Sequence, residues 1–370
     1  MRIERARLFL VPLRLREPFV SSRGATQERP VVLLALDGEG VTGWSECVAG
    51  EASGYAPETS ETAWSALTER LLPAVVGGAH AGPAAVLAAA LETASAREDE
   101  PMARAALEMA AWDLQAKLDR VPLCEALGGT RRPVPAGVSL GLEDDDALLR
   151  RIERHVAEGY RRIKLKIEPG NDVERLARVR ARFPDVPLTA DANGAYTLAD
   201  RARLRELDDL ALDMLEQPLP ADDLDGHAEL QSVLRTPICL DESIRSAADA
   251  HRALELGSCR VVNVKPGRVG GHAEARRVHD VCGARGIPVW CGGMHESGIG
   301  RAHNVALATL RGFVLPGDLS ASGRYWERDL VVPEWTLEGG ALVPLDAPGI
   351  GVEPDLERIE GLAARGATIG

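Results

Sequence analysis

Six residues of this sequence could carry acid–base chemistry, and their spacing is regular. They are Lys164 and Lys166 in Arg162-Ile163-Lys164-Leu165-Lys166, then Asp191, Glu216, Asp241 and Lys265. From Lys166 to Asp191 to Glu216 to Asp241 each step is 25 residues, and Lys265 follows after 24. Three carboxylates brought to one point repel one another unless a cation sits between them. An oxygen-only donor set of Asp191, Glu216 and Asp241 suits Mg²⁺, with Mn²⁺ or another divalent ion able to substitute. Lys166 and Lys265 flank the three in order, so their amines should face each other across a bound substrate. Such a set suits removal of the proton next to a carboxylate. The metal stabilises the charge that develops on the carboxylate oxygens, and a neutral lysine takes the proton. A lysine ordinarily titrates near about 10.4, so positive charge from Lys164 and the metal is expected to lower it towards working pH.

Taken singly, each residue has an ordinary explanation. An Asp at the end of a strand more often caps a helix. Glu216 before Gln217-Pro218 reads as a loop carboxylate, one of Lys164 and Lys166 as a solvated edge residue, and Lys265 before Pro266-Gly267 as a turn residue. Chance does not readily give five such positions in the order Lys, Asp, Glu, Asp, Lys.

The elements that must position them show the same rhythm. Short apolar runs end near Ser139, Lys166, Asp191, Glu216, Asp241, Lys265, Cys291 and Asp318, each followed by a turn and a helical stretch. Eight βα units of that length close into a barrel whose active site lies where the strands end. Upstream, Ile3–Leu10, Val31–Leu36 and Val41–Val48 read as strands, with a hairpin at Asp37-Gly38-Glu39-Gly40. Trp64, Leu67 and Leu71 fall on one helical face, and Ala103, Leu107, Ala110, Ala111, Leu114 and Leu118 on another. Gly128-Gly129 and Pro133 mark a boundary. The expected fold is α/β: a modified (β/α)-barrel, similar to a TIM barrel, over 129–322. An α+β capping domain over 1–128 precedes it, and the segment 323–370 returns to that cap.

Bulk properties narrow the partners. The chain has 370 residues and a net charge of −13, which argues against nucleic acid or an anionic membrane surface. No run approaches the roughly 20 apolar residues of a membrane span. Arg2, Arg5, Arg7, Arg14, Arg16 and Pro12 interrupt the start, which reads as a strand and not a signal peptide. Six scattered cysteines without a CxxC pair fit reduced, buried thiols, so a cytoplasmic location is expected. The expected partner is a small-molecule carboxylate.

The ordered motifs KxK, DxN, EQP, DES and KPGRVGG resemble those of the enolase superfamily, in its muconate-lactonizing subgroup. Arg162–Gly170, Lys265–Gly271, Pro288–Met294 and Leu315–Ser322 are similar to the N-succinylamino acid racemase / o-succinylbenzoate synthase family in particular. The resemblance spans essentially the whole chain and implies a homo-oligomeric enzyme. It assigns Asp191, Glu216 and Asp241 to Mg²⁺, and Lys166 and Lys265 to the two faces of the substrate's α-carbon. Lys164 would tune Lys166 or contact the substrate carboxylate. Asn193 and Glu242 would support the ligands, and Arg268 matches an arginine of racemase-capable members. Ser139, Tyr55 and Met294 are candidates on the substrate side, and the stretches Pro18–Gly24 and Ala49–Pro57 would be lid loops.

Three positions depart from the family pattern: Arg23 on the lid, Ser45 in place of the middle glycine of a GWGE run, and His295 where a branched aliphatic is common. Arg23 and His295 should make the pocket more polar. The preferred reading is racemisation of N-succinyl or other N-acyl amino acids, with o-succinylbenzoate synthesis as the alternative. A dipeptide epimerase would carry Asp-x-Asp at the eighth strand end, whereas Asp318-Leu319-Ser320 offers one carboxylate. Gly292-Gly293 and Ser297-Gly298-Ile299-Gly300 would fit a phosphate-binding barrel, which needs no carboxylate triad. In a non-catalytic binding barrel the acid–base set would be eroded.

Overall fold

The computed structural model describes residues 1–21, 24–93 and 100–370; Arg23 lies outside them. β1 (Arg5–Ser21) and β2 (Gly24–Gly38) form a long antiparallel hairpin, and β3 (Val41–Cys47) pairs with β2. Glu39 and Gly40 close the second hairpin with φ of 52° and 81°, the paired left-handed geometry that two-residue turns need. Val32, Leu34 and Leu36 bury against Leu67, Leu71, Leu107 and Leu114 of the cap helices. Val31, Leu33 and Ala35 alternate to the other face and join the core shared with the barrel. Burial on both faces explains the unbroken apolar run. A Cβ on Gly43 would lie 2.3 Å from Ala110 O, so only glycine lets the helix Pro101–Asp119 approach β3 this closely.

Of the stretch Pro18–Gly24, expected as a loop, Pro18–Ser21 and Gly24 continue the first hairpin instead, with Phe19 paired to Thr26 and Val20 to Ala25, and Ser22 lies outside the described residues with Arg23. The register shifts between Arg14 and Phe19, around Pro18, which has no N–H to give to a ladder. The arm reaches the barrel, where Leu142 N donates to Val20 O at 2.8 Å.

Seven parallel strands follow: β4 (Gly137–Leu140), β5 (Arg162–Lys166), β6 (Leu188–Asp191), β7 (Met214–Glu216), β8 (Ile238–Leu240), β9 (Val261–Val264) and β10 (Val289–Cys291). Each pairs with its sequence neighbour, and helices such as Val173–Arg182 and Ala247–Leu256 connect them. The expected eighth strand is not regular. Phe313 bridges to Val289 and Gly317 to Ala136, and two backbone hydrogen bonds on either side join this segment to the two edges of the sheet. Pro316 precedes Gly317 and cannot extend a ladder.

Near the C-terminus, β11 (Arg365–Ile369) runs antiparallel to β1. The segment before it also serves the barrel, because Ala341–Leu342 pairs with Val134–Pro135 just before β4. All six cysteines are buried and free. Among the described residues no helix is long and apolar enough to cross a membrane.

Candidate active site

Alternation along β5 sends Arg162, Lys164 and Lys166 to one side of the strand, towards the barrel interior. Lys166 is the register partner of Asp191, and Asp191 of Glu216, so the ends of β5, β6 and β7 lie side by side. Asp241 and Lys265 each sit one residue beyond the ends of β8 and β9. Lys164, Lys166, Asp191, Asn193 and Lys265 line one cavity of about 550 Å³, together with Ser139, Tyr55 and Met294. Glu216, Asp241, Glu242 and Arg268 are buried around it. Among the described residues the Ser139 hydroxyl has no hydrogen-bond partner.

Ion pairs fill the site. Lys166 Nζ lies 2.7 Å from Asp191 Oδ2 and 2.5 Å from Asn193 Oδ1. Asn193 Nδ2 donates in turn to Glu242 Oε1 at 3.0 Å. Lys164 Nζ lies 3.1 Å from Asp191 Oδ2, 3.0 Å from Glu216 Oε2 and 2.6 Å from Asp318 Oδ2. Asp241 turns the other way. Lys265 lies 2.8 Å from its Oδ2, while Arg268 pairs with its Oδ1 and Tyr55 donates to that oxygen at 3.0 Å.

Charge fixes the protonation states. Burial would lower the Lys164 ammonium, but Asp318, Glu216 and Asp191 together hold it well above the usual lysine range. Burial acts the other way on Asp191, and Lys166 and Lys164 outweigh it, keeping the group ionised far below the ordinary value. Lys265 is pushed down by burial and by Lys164, yet rises overall under Tyr55, Glu242 and Glu216. The expected lowering by Lys164 is thus present at Lys265 but overcome there by the surrounding oxygens.

Asp191 and Glu216 present oxygens of the type a divalent cation takes. These oxygens come from adjacent strands, and the Lys164 ammonium already bridges Asp191 and Glu216 as a cation would. Among the described residues no three acidic, histidine or cysteine side chains yet close on one point. Asp241 would have to turn from Lys265 and Arg268 to join the other two.

Several positioning residues escape a sequence reading. Gln217 Oε1 accepts from Asp241 N and Ser243 N at 3.0 and 3.2 Å, shaping the turn that carries Asp241. Asn263 Nδ2 donates to Glu216 Oε1 at 3.0 Å. Asp318 receives Arg162 Nη2 at 2.5 Å. A polar Asn263 inside the apolar run of β9 and an Arg162 sharing its face with two lysines were the available signals. Asn193, Gln217 and His295 all have positive φ, at 46°, 39° and 57°, a strained backbone concentrated where the turns leave the strands.

The departures from the family pattern resolve differently. Ser45 lies buried away from the cavity and donates to Ala106 O at 2.6 Å under the cap helix. His295 lines the cavity between Phe19 and Tyr325, with ring centroids at 4.7 and 5.2 Å, as part of an aromatic wall. Burial and the positive charges of Arg29 and Arg324 push its pKa down to about 3, so it is a neutral ring and not a charged one.

Comparison with known proteins agrees with this architecture. Residues 4–128 match the mandelate racemase / muconate lactonizing enzyme N-terminal domain, and residues 147–359 the enolase C-terminal domain-like family. The chain is 53% identical over 350 residues to an o-succinylbenzoate synthase of Geobacillus kaustophilus, covering 94% of this chain and 92% of that one. It is 49% identical over 361 residues to an N-succinylamino acid racemase of Thermus thermophilus, covering 97% of each. A solved enolase-superfamily structure from Listeria innocua superposes with a TM-score of 0.94 at 39% identity, covering 100% of this chain and 99% of that one. The chain is an enzyme of the enolase superfamily, in the family of mandelate racemase and muconate lactonizing enzyme.

Proposed function

We propose that this enzyme abstracts the proton α to a substrate carboxylate and, with two opposed lysines, racemises N-succinyl or related N-acyl amino acids. The observation that carries the reading is the placement of Lys166 and Lys265. They line one cavity from β5 and from the end of β9, with the three carboxylate-bearing strand ends between them. An α-carbon held between two amines can lose its proton to one and regain it from the other, which inverts it.

Lys164, held protonated, supplies a fixed cation for the substrate carboxylate. Asp191, Glu216 and Asp241 would hold Mg²⁺ or a similar ion, with Asn193, Glu242 and Asn263 steadying the site. When bound, that ion supplies charge stabilisation for the enediolate and opposes the carboxylates that raise Lys265. The aromatic wall and Tyr55 exclude water from the reacting carbon.

A second reading has its own support. Relatives at 53% and 52% identity are named o-succinylbenzoate synthase. That dehydration needs one base and an enolate-stabilising cation, roles that Lys166 and Lys265 would fill.

The test is α-proton exchange in D₂O with each enantiomer of an N-succinyl amino acid, with Mg²⁺ and after chelation. Exchange from both enantiomers, lost on chelation, is expected. Absence of exchange from either, with intact turnover to o-succinylbenzoate, would favour the synthase reading.

A further inference from the structure

Lys164 is held from two directions. Its ammonium touches Asp191 Oδ2 and Glu216 Oε2, which belong to two of the proposed metal-binding carboxylates, and lies closest to Asp318 Oδ2, at 2.6 Å. The other Asp318 oxygen receives Arg162 Nη2 at 2.5 Å. Arg162 stacks 4.2 Å over the Trp290 ring, and the Lys164 ammonium lies 5.0 Å from the same ring. All four side chains are buried in the barrel interior. A single cation would neutralise Asp318, yet the fold gives it two, at the desolvation cost of an extra buried charge. That arrangement makes sense if Lys164 is shared. A divalent ion on Asp191 and Glu216 and an ammonium on the same oxygens repel each other, and the ammonium then needs an anion elsewhere.

We propose that Asp318 is a positioning residue that lets Lys164 and a divalent cation share the site. Pinned by Arg162, it keeps an anionic place for the ammonium beside Trp290 when the ion takes the oxygens of Asp191 and Glu216. The inference rests on the metal reading above, and it concerns ion binding, so its test needs no substrate.

The experiment is calorimetric titration of the full chain with Mg²⁺ and Mn²⁺, with a melting curve for every variant. Asp318→Asn is expected to weaken ion binding roughly tenfold, the size of effect that loss of one neighbouring charge has on a buried group. Lys164→Met removes the competing cation and should tighten binding by about threefold or more. In the Lys164→Met background, Asp318→Asn should change affinity by less than about twofold, because nothing is left to park. If Asp318→Asn does not fold, owing to the orphaned Arg162, Arg162→Met/Asp318→Asn takes its place with the same expected loss. An equal loss in both backgrounds overturns the inference, since Asp318 would then act on the ion directly or through the fold. Weaker binding in Lys164→Met also overturns it. A wild-type chain that binds neither ion removes the metal reading itself, which the first titration shows before any variant is made.

Discussion

The Lys166 and Lys265 sides of the cavity are built differently, although the proposed chemistry asks the same of both amines. Lys166 meets a carboxylate, Asp191, and an amide, Asn193, with the Phe19 ring 5.9 Å from its ammonium. Lys265 meets a carboxylate, Asp241, and a phenol, Tyr55, whose ring centroid is 4.5 Å away. Each carboxylate is also shared with a second cation: Lys164 lies 3.1 Å from the same Asp191 Oδ2 that Lys166 contacts. Arg268 pairs with the same Asp241 and donates to Tyr55 OH at 3.1 Å, anchored behind by Ile244 O and Asn263 O. Asp241 therefore divides its charge between two cations, and Lys265 is held less tightly than one partner alone would hold it. The sides differ in what holds that second cation: Lys164 also reaches Glu216 and Asp318, whereas Arg268 is anchored on backbone carbonyls.

The largest effect should come from the amines themselves. Lys166→Met and Lys265→Met are each expected to slow exchange of one enantiomer by about 10²–10⁴-fold, the usual loss for a general base. The other enantiomer should still exchange. If either variant abolished both, or neither, the two-sided arrangement would be wrong. Arg268→Gln should come next and act on one side only. Without Arg268, Asp241 belongs to Lys265 and Tyr55, more negative charge faces the ammonium, and its pKa rises further from a value already raised. The rate that needs neutral Lys265 should fall roughly tenfold at neutral pH and recover at higher pH, with its half-maximum displaced upwards. The rate that needs neutral Lys166 should change by less than about threefold. Parallel losses from both enantiomers would show that Arg268 supports the fold and not one base.

Much of this contrast is legible in the amino-acid sequence. The 25-residue rhythm places Lys166, Asp191 and Glu216 at adjacent strand ends, because a βα repeat of constant length returns each strand end to the same rim. What the chain order does not carry is which groups share a partner. Asp241 and Asp191 look equivalent in sequence, yet Gln217 and Arg268, far apart along the chain, turn Asp241 towards Lys265. At the eighth position only isolated bridges form, and Pro316 has no N–H to add to them, although Asp318 still reaches the site. The continuation of the hairpin through Phe19 depends on docking against Leu142, a contact more than a hundred residues away that local composition does not encode.

Tyr55→Phe tests a smaller part of the contrast. Its hydroxyl bonds to Asp241, Lys265 and Arg268, so its loss removes hydrogen bonds on the Lys265 side while the ring stays over the ammonium. A loss of about three- to tenfold is expected for the enantiomer that uses Lys265, consistent with net hydrogen-bond values near one kcal/mol. The other enantiomer should be nearly unaffected. Steady-state exchange rates measured separately for the two enantiomers decide this.

His295→Ile should have the smallest effect on chemistry, and it tests whether the aromatic wall on the Phe19 side carries charge. The ring packs edge-on to Phe19 and Tyr325, and its depressed pKa, about 3, leaves it uncharged at neutral pH. The variant should therefore keep the shape of the pH–rate profile between about pH 6 and 9 and change mainly KM, through the wall's fit to the substrate. Stability supplies an independent readout with a definite sign. The unfolded histidine titrates near about 6.5 and the folded one near about 3, so between those values the unfolded state binds more protons. The stabilisation from burying the neutral ring is complete above about pH 6.5 and lost as pH falls towards about 3. Removing the group should make the melting temperature fall less between about pH 8 and pH 4.5 than it does in the wild type. A larger fall, or a vanished inflection near neutral pH in the rate profile, would mean that His295 is protonated in the working enzyme and that the Phe19 side holds a cation beyond Lys164 and Lys166.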